Sequence, residues 1–406
     1  MRFDRKVSCT IVVPGRWHAF DLARELSGLD ALHRLVTNYP KSRTRRWGIP
    51  DSKVVSLPLT LLLTKLAWRM GGESLAMRQQ FRINDLFARK ASRALGTPTI
   101  VHAWSSTAEP SLLAARSRGI ATVLERSSSH MLEQCRLLRE EFASLGLTWV
   151  ETPSATVARE IREYQLADRI FVPSLFVRRS FEAAGVPSDR LFLNGFGVDL
   201  GRFKPAEKGD GVFRVIYAGS LGVRKGIHHL TAAFRMADIA GSQLLLVGGA
   251  TGETGRLIGR ADPRIRLRGH VPQHELPSLY GEASVFAMAS VEEGQAMVQA
   301  QALACGLPLV CTSNTGGEDL LEQGGVGREI APGIREFPAG IVVPARAPEL
   351  FAEALRRLAA DPRRLAQMGK SAAALAHKDL SWRRYAEANL EQYDLMTQAP
   401  TKAVAR

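Results

Sequence analysis

Residues 215–226 read VIYAGSLGVRKG: an apolar run, a glycine-rich turn holding Gly219 and Ser220, then Arg224, Lys225 and Gly226. Glycines let phosphate approach the backbone and two cations neutralise it, so in physical terms this is a diphosphate site. Residues 284–313, SVFAMASVEEGQAMVQAQALACGLPLVCTS, hold a second place of this kind. Their first apolar run ends in a polar turn containing Glu292, Glu293 and Gly294. A helix-forming stretch follows over 295–305, Gly306 stops it, and Pro308 bars its extension before another apolar run. Free N–H groups and the positive end of the dipole make a helix start an anion site. The backbone from Gln295 through Ala296 and Met297 to Val298 is therefore a candidate phosphate cradle.

The elements that must position these residues follow a regular rhythm. Strand-like runs at 7–13, 32–38, 54–57, 99–104, 121–125 and 169–173 alternate with helical stretches. A linker-like segment at 203–211 precedes a second series at 213–218, 243–247, 265–267, 284–288, 309–312 and 341–343. This pattern predicts an α/β fold of two Rossmann-like domains facing each other across a cleft between the carboxyl ends of their sheets. A chain of 406 residues suits two such domains. Their expected bounds are 1–200 and 205–380, with an amphipathic helix over 381–397 and a frayed tail over 398–406.

Composition narrows the class further. Hydrophobic residues make up 45% and charged ones 23%, which suits a globular chain. The cysteines (Cys9, Cys135, Cys305, Cys311) are scattered, and three lie in or beside apolar runs, so reduced thiols and a cytoplasmic location are expected. The opening MRFDRK leads into a strand-like run, with no signal peptide expected. The net charge of +14 is uneven: the first hundred residues hold 18 Lys/Arg against 7 Asp/Glu. That suggests a polyanionic partner. Nucleic acid is set aside, since no helix-turn-helix, zinc-finger or RNA-recognition signature occurs. An anionic membrane surface fits better, because residues 54–71 (VVSLPLTLLLTKLAWRMG) combine leucines with Lys65, Trp68 and Arg69. The stretch is too short and too charged to span a bilayer. Its alternatives are an interfacial helix or one packed on its own sheet.

With these residues in hand, the chain resembles the retaining glycosyltransferases of the GT-B fold, the family-4 type or group 1. That family reads Glu-Gly-Phe-Gly, four residues, then Glu-Ala-Met-Ala-x-Gly-Leu-Pro. Here the match is Glu293-Gly294-Gln295-Ala296, then Gln301-Ala302-Leu303-Ala304-Cys305-Gly306-Leu307-Pro308. The resemblance implies that Glu293 contacts hydroxyls of the transferred sugar. Gln301 stands where the family has a ribose-binding glutamate, keeping a carbonyl acceptor and losing the charge. Glu292, one residue off register, is the alternative, with a solvent-facing neighbour as the preferred reading. Lys225 matches the pyrophosphate lysine, while Ser220 replaces the family arginine, leaving Arg224 to supply the second charge. Val271 falls in the loop that faces the nucleobase in relatives, and Thr315-Gly316-Gly317-Glu318 resembles another cleft turn. Glu163-Tyr164, Ala167-Asp168, Ile170, Pro173-Ser174 and Gly197-Val198-Asp199 with Phe203 match further family segments, so the likeness spans about 155–385.

On the acceptor side the resemblance points to Gly15, Arg16, Trp17 and His18 after the first strand, and to Glu125 and Arg126 after a later one. His130 is the offset candidate for a sugar-contacting histidine whose strict register falls near Ser127; His102 reads as a packing or hydrogen-bonding residue. Glu293, Lys225 and His130 form the expected catalytic set. No Asp-x-Asp pair occurs, so neither a metal nor a cofactor is expected, and protein charges would stabilise the leaving group. The expected function is transfer from a UDP- or GDP-sugar to a glycan or lipid-linked acceptor with retention of configuration. The setting would be surface polysaccharide or glycolipid synthesis at the cytoplasmic face of a membrane. A nucleotide-sugar epimerase is the alternative enzyme. A non-catalytic glycan- or partner-binding member is the other, motivated by Gln301 and Ser220.

Overall fold

In a computed structural model, residues 7–398 are described, without the side chains of 71–78. The opening residues and all of the expected frayed tail but Gln398 lie outside the described residues. Seven strands form the first sheet: β1 (Cys9–Val13), β2 (Leu32–Thr37), β3 (Val54–Ser56), β4 (Ile100–Trp104), β5 (Ala121–Glu125), β6 (Arg169–Val172) and β7 (Leu191–Leu193). Their order is β3-β2-β1-β4-β5-β6-β7, parallel throughout. β1 and β4 are buried along their whole length, as strands covered by helices on both faces must be.

The second sheet comprises β8 (Arg214–Ala218), β9 (Gln243–Val247), β10 (Ile265–Gly269), β11 (Val285–Met288), β12 (Leu309–Thr312), β13 (Arg328–Ala331), β14 (Ile334–Phe337) and β15 (Gly340–Val343). Its order is β10-β9-β8-β11-β12-β15-β14-β13, parallel except for the antiparallel β13–β14–β15 edge. Strand order reverses direction between β1 and β4 in one sheet and between β8 and β11 in the other. Ligands of doubly wound sheets bind beyond the carboxyl ends of the strands at such switch points. The loops after β1, β5, β8 and β11 carry most of the candidate residues.

The family-like segment at 163–174 has a local physical role. The Glu163 carboxylate accepts N–H groups of Ser106 (2.7 Å), Ala108 (2.7 Å) and Glu109 (3.0 Å), capping the start of the Glu109–Arg116 helix. Asp168 accepts both the N–H and the hydroxyl of Thr122 on β5, at 2.8 and 2.7 Å. The final helix, Trp382–Gln398, buries Trp382, Tyr385, Leu390 and Tyr393 in the core of the first sheet. It is anchored by Val198 N–H on the Leu380 carbonyl (2.7 Å) and by the Asn194 amide on Asn389 (2.7 Å). A Cβ on Gly197 would come within 2.6 Å of the Trp382 nitrogen, so a side chain there would block the crossing.

Residues 54–71 do not act as one segment. Val54–Ser56 is strand β3, and the leucines open a 34-residue helix, Leu59–Ser92. Thr60 and Ala67 face inward, whereas Leu62 (60% exposed), Leu66 (52%), Trp68 (54%) and Met70 (72%) do not. Internal packing therefore fails as an account of that face, while Leu61 is half-buried. Among the described residues no helix is long and apolar enough to cross a membrane.

Candidate active site

The glycine-rich turn after β8 is built by steric necessity. Gly219 has φ +151°, and the Tyr217 hydroxyl folds over it to donate to the Ser220 carbonyl at 2.8 Å. Gly226, at φ +62°, lies so close to the end of β11 that a Cβ would meet the Ala289 oxygen at 1.8 Å. Only glycine lets the turn seat there. This seating brings the two chemistry-bearing segments together: Lys225 forms an ion pair with Glu293, and Arg224 Nη1 lies 3.5 Å from the same carboxylate. Burial, then the neighbouring Arg224 charge, push the Lys225 ammonium well below its usual range, with Glu292 opposing.

Glu292 departs most from the sequence reading. It is fully buried rather than solvent-facing. Its Oε1 accepts the N–H and hydroxyl of Ser129 at 3.0 and 2.8 Å. Its Oε2 accepts the Gln134 amide at 3.1 Å and Arg224 at 3.1 Å. Burial alone would raise its pKa; Arg224 and the Ser129 bonds outweigh that and hold the carboxyl below the ordinary range. Both carboxylates thus reach Arg224, but only Glu293 meets Lys225, while Glu292 extends to Ser129 and Gln134 after β5. Nothing in local sequence distinguishes the two glutamates.

Gly294 presses on the same loop: a Cβ would lie 1.7 Å from the Ser127 oxygen, and Ser174 Oγ donates to the Gly294 carbonyl at 2.7 Å. Gln295 is buried, accepting the Phe196 N–H at 2.5 Å. Ala296 precedes the Met297–Ala304 helix with no side-chain cap, which leaves the first-turn N–H groups open to an anion. Gln301, 6% exposed, holds a buried Oε1 with no partner among the described residues, an acceptor suited to a hydroxyl. Ser220 is exposed and Val271 half-buried beyond β10.

Several acceptor-side expectations are corrected. Glu125 is 2% exposed and does not present its carboxylate outward. His18 Nε2 lies 3.1 Å from one oxygen, His102 Nε2 bonds the other at 3.0 Å, and the Tyr393 hydroxyl meets His102 Nδ1 at 2.6 Å. Burial works to raise the Glu125 pKa, but the two histidines bring it down to about 2. Glu125 thus props His18 from beneath, and the expected hydrogen-bonding role of His102 holds. Arg126 is likewise engaged, with Glu160 at 2.9 Å, the Ser129 carbonyl at 3.0 Å and Gln134 at 2.9 Å. Together Arg126, Gln134, Glu292 and Arg224 form a polar line, buried at Arg126 and Glu292 and half-buried at Gln134 and Arg224, from one sheet's loops to the other's.

His130 caps the Met131–Ser144 helix, its Nδ1 accepting the Leu132 N–H at 3.4 Å. Its ring packs against Tyr164 and Phe181, and burial beside Arg126 pushes its pKa down to about 4. No contact among the described residues joins it to Glu293 or Lys225. The adjacent Ser129 makes the cross-connection instead, so Ser129, Gln134 and Glu292 are the residues sequence reasoning missed. Gly15 (φ +133°) and Trp17 (φ +37°) form a bent loop that leaves the indole 62% exposed, while Arg16 stacks over Trp47 at 4.4 Å.

Residues 212–361 match the family described as glycosyl transferases group 1. The chain is similar to D-inositol 3-phosphate glycosyltransferase 1 of Catenulispora acidiphila, 26% identical over 73% of this chain and 72% of that protein. It is also similar to a GDP-mannose-dependent alpha-(1-6)-phosphatidylinositol monomannoside mannosyltransferase of Mycolicibacterium smegmatis, 27% identical over 73% and 77%. In fold it is similar to Anabaena HepE, solved with UDP and glucose: TM-score 0.66, 14% identity, 97% of this chain and 100% of that one. Its two facing sheets, the seated Arg224-Lys225 turn and the Glu293-Gly294 loop thus belong to a GT-B fold whose residues 212–361 match the group 1 glycosyl transferases.

Proposed function

We propose that the chain transfers a glycosyl group from a UDP- or GDP-sugar to a glycan or lipid-linked acceptor with retention of configuration. The observation that carries this reading is the convergence of Arg224, Lys225, Glu293 and an uncapped helix start at one strand-end switch point. In the proposed mechanism the donor diphosphate takes Lys225 away from Glu293 and lies across Arg224 and the first N–H groups of the Met297–Ala304 helix. Freed, Glu293 accepts hydroxyls of the sugar, and Gln301 Oε1 accepts from the ribose. Fixed cations and N–H dipoles aimed at the departing diphosphate stabilise the charge that develops there, with no divalent ion at the phosphates. The acceptor attacks from the face of the departing phosphate, whose oxygen takes the acceptor proton. No side-chain nucleophile is then required, and the buried states of Glu125 and His130 agree with that. The acceptor approaches from the Gly15–His18 loop. Leu62, Leu66, Trp68 and Met70 beside Lys65 and Arg69 would dock that side on an anionic membrane from the cytoplasm.

A donor screen following nucleoside diphosphate release, with the product anomer read by NMR, tests this reading. An inverted product would overturn retention, and turnover dependent on added Mg²⁺ or Mn²⁺ would overturn the leaving-group assignment. Diphosphate release without acceptor, accompanied by an epimerised sugar, would favour the epimerase alternative.

A further inference from the structure

Away from the phosphate turn, Glu141 of the Met131–Ser144 helix meets His228 and His229 of the Ile227–Ala237 helix. Both Nε2 atoms lie 2.7 Å from the same oxygen, Glu141 Oε1, and the three atoms fall within 4.8 Å of one another. Arg346 Nε donates to the other oxygen at 2.5 Å, while its Nη groups hold the Leu137 carbonyl at 3.0 Å and Glu140 at 3.3 Å. Arg346 keeps φ +62°, a left-handed conformation uncommon for a residue other than glycine, beside these contacts. The carboxylate is nearly inaccessible at 3%, yet the histidines keep 13% and 18% of their surface, leaving one side of the cluster open. Burial would raise the Glu141 pKa; the hydrogen bonds from the two histidines overcome it and hold the group ionised.

We propose that Glu141, His228 and His229 form a three-ligand site for a Zn²⁺-class transition-metal ion that bridges the two sheet units. Two imidazole nitrogens and one carboxylate oxygen are a borderline-soft set that suits Zn²⁺, Co²⁺ or Ni²⁺ and disfavours Mg²⁺ and Ca²⁺, which take oxygen ligands. With bonds of about 2.0–2.2 Å, the two imidazole–carboxylate sides, now 2.7 Å, open by roughly half an ångström to reach tetrahedral geometry, and water takes the fourth position. Each imidazole ligates through Nε2 with its proton on Nδ1. The Nε2 protons that now meet Glu141 Oε1 are released when the ion binds, and the buried Nδ1 of His228 has no outer-shell acceptor among the described residues. Arg346 acts as the outer-shell donor that orients the ligating carboxylate, and Glu140 balances its charge. His228 and His229 follow Lys225 within one helical turn. A bound ion therefore ties the helix behind the phosphate turn to the opposite unit and restrains opening between them.

The test uses the full chain, stripped with chelator and titrated with Co²⁺ as a visible probe. Expected are the intense d–d bands of a tetrahedral site, one Co²⁺ per chain, displacement by Zn²⁺, and no displacement by Mg²⁺ at equal concentration. Glu141→Gln and the His228→Asn/His229→Asn pair should each weaken Co²⁺ binding at least tenfold, with folding checked by circular dichroism. Zn²⁺ should raise Tm in the wild type and not in the paired variant. Absence of tetrahedral bands in the wild type overturns the proposal whatever the variants do. Binding that survives in the histidine pair variant also overturns it, by placing the ion on exposed groups such as His274.

Discussion

Replacing Glu292 by glutamine keeps its size and removes its charge from the line joining Arg224 to Ser129 and Gln134. Three donors lose a charge-assisted acceptor: the Ser129 N–H, the Ser129 hydroxyl and the Gln134 amide. Each such exchange costs about 1 kcal/mol. Arg224 is one-third exposed, so its ion pair adds at most about 1 kcal/mol after solvent screening. Relief of the carboxylate's desolvation offsets part of this, leaving a net loss of about 2–3 kcal/mol. Urea unfolding of the full chain, followed by tryptophan fluorescence, measures it, with Ser129→Ala and the double variant completing a cycle. The expected coupling between the two positions is about 1 kcal/mol. Since the Glu292 pKa is held low, its contribution is present at neutral pH and disappears as pH falls through the folded-state value. Glu292→Gln within about 0.5 kcal/mol of wild type, or a strictly additive cycle, would refute the view that this carboxylate joins the two units.

Lys225→Ala should lower kcat by about 10²–10³ with the fold intact, because one preorganised contact to the leaving group is lost; unchanged steady-state turnover would remove that assignment. Gln301→Glu should tighten donor binding by roughly 1 kcal/mol while destabilising the free protein, since a buried charge then lacks a partner; titration calorimetry and urea melts read the two effects. Glu125, whose pKa falls from 4.5 to about 2, should contribute about 3 kcal/mol of stability above pH 4.5 that disappears as pH drops towards 2. Glu125→Gln should flatten that part of the stability–pH curve. In flotation with anionic liposomes, a Leu62/Leu66/Trp68 alanine variant should bind less than wild type at low salt, with both released at high salt; equal flotation would clear this helix face of a membrane role.

The alternation of apolar runs and helical stretches was legible from sequence because buried parallel strands and amphipathic helices leave strong local patterns. Twelve strand positions could be read in this way. Strands β7, β13 and β14 could not: β7 has three residues, and β13 and β14 carry charged residues on an antiparallel edge with no apolar run. Two phosphate-type turns were also legible, since glycines, cations and a helix start mark them by residue type; that Lys225 and Glu293 serve one site was implied only by the family resemblance, and their contact is a tertiary fact. The direction in which each polar side chain points was decided by the tertiary structure. Glu292 and Glu293 are chemically identical neighbours that both reach Arg224, and only the tertiary structure extends one to Ser129 and Gln134 and the other to Lys225. Glu125, Arg126 and His130 sit at strand and helix ends where outward-facing groups are expected. They are buried because neighbours from distant segments (Tyr385, Glu160, Phe181) supply the hydrogen bonds and packing that offset their desolvation. Such partners lie dozens to hundreds of residues away, and no periodicity of the chain encodes them.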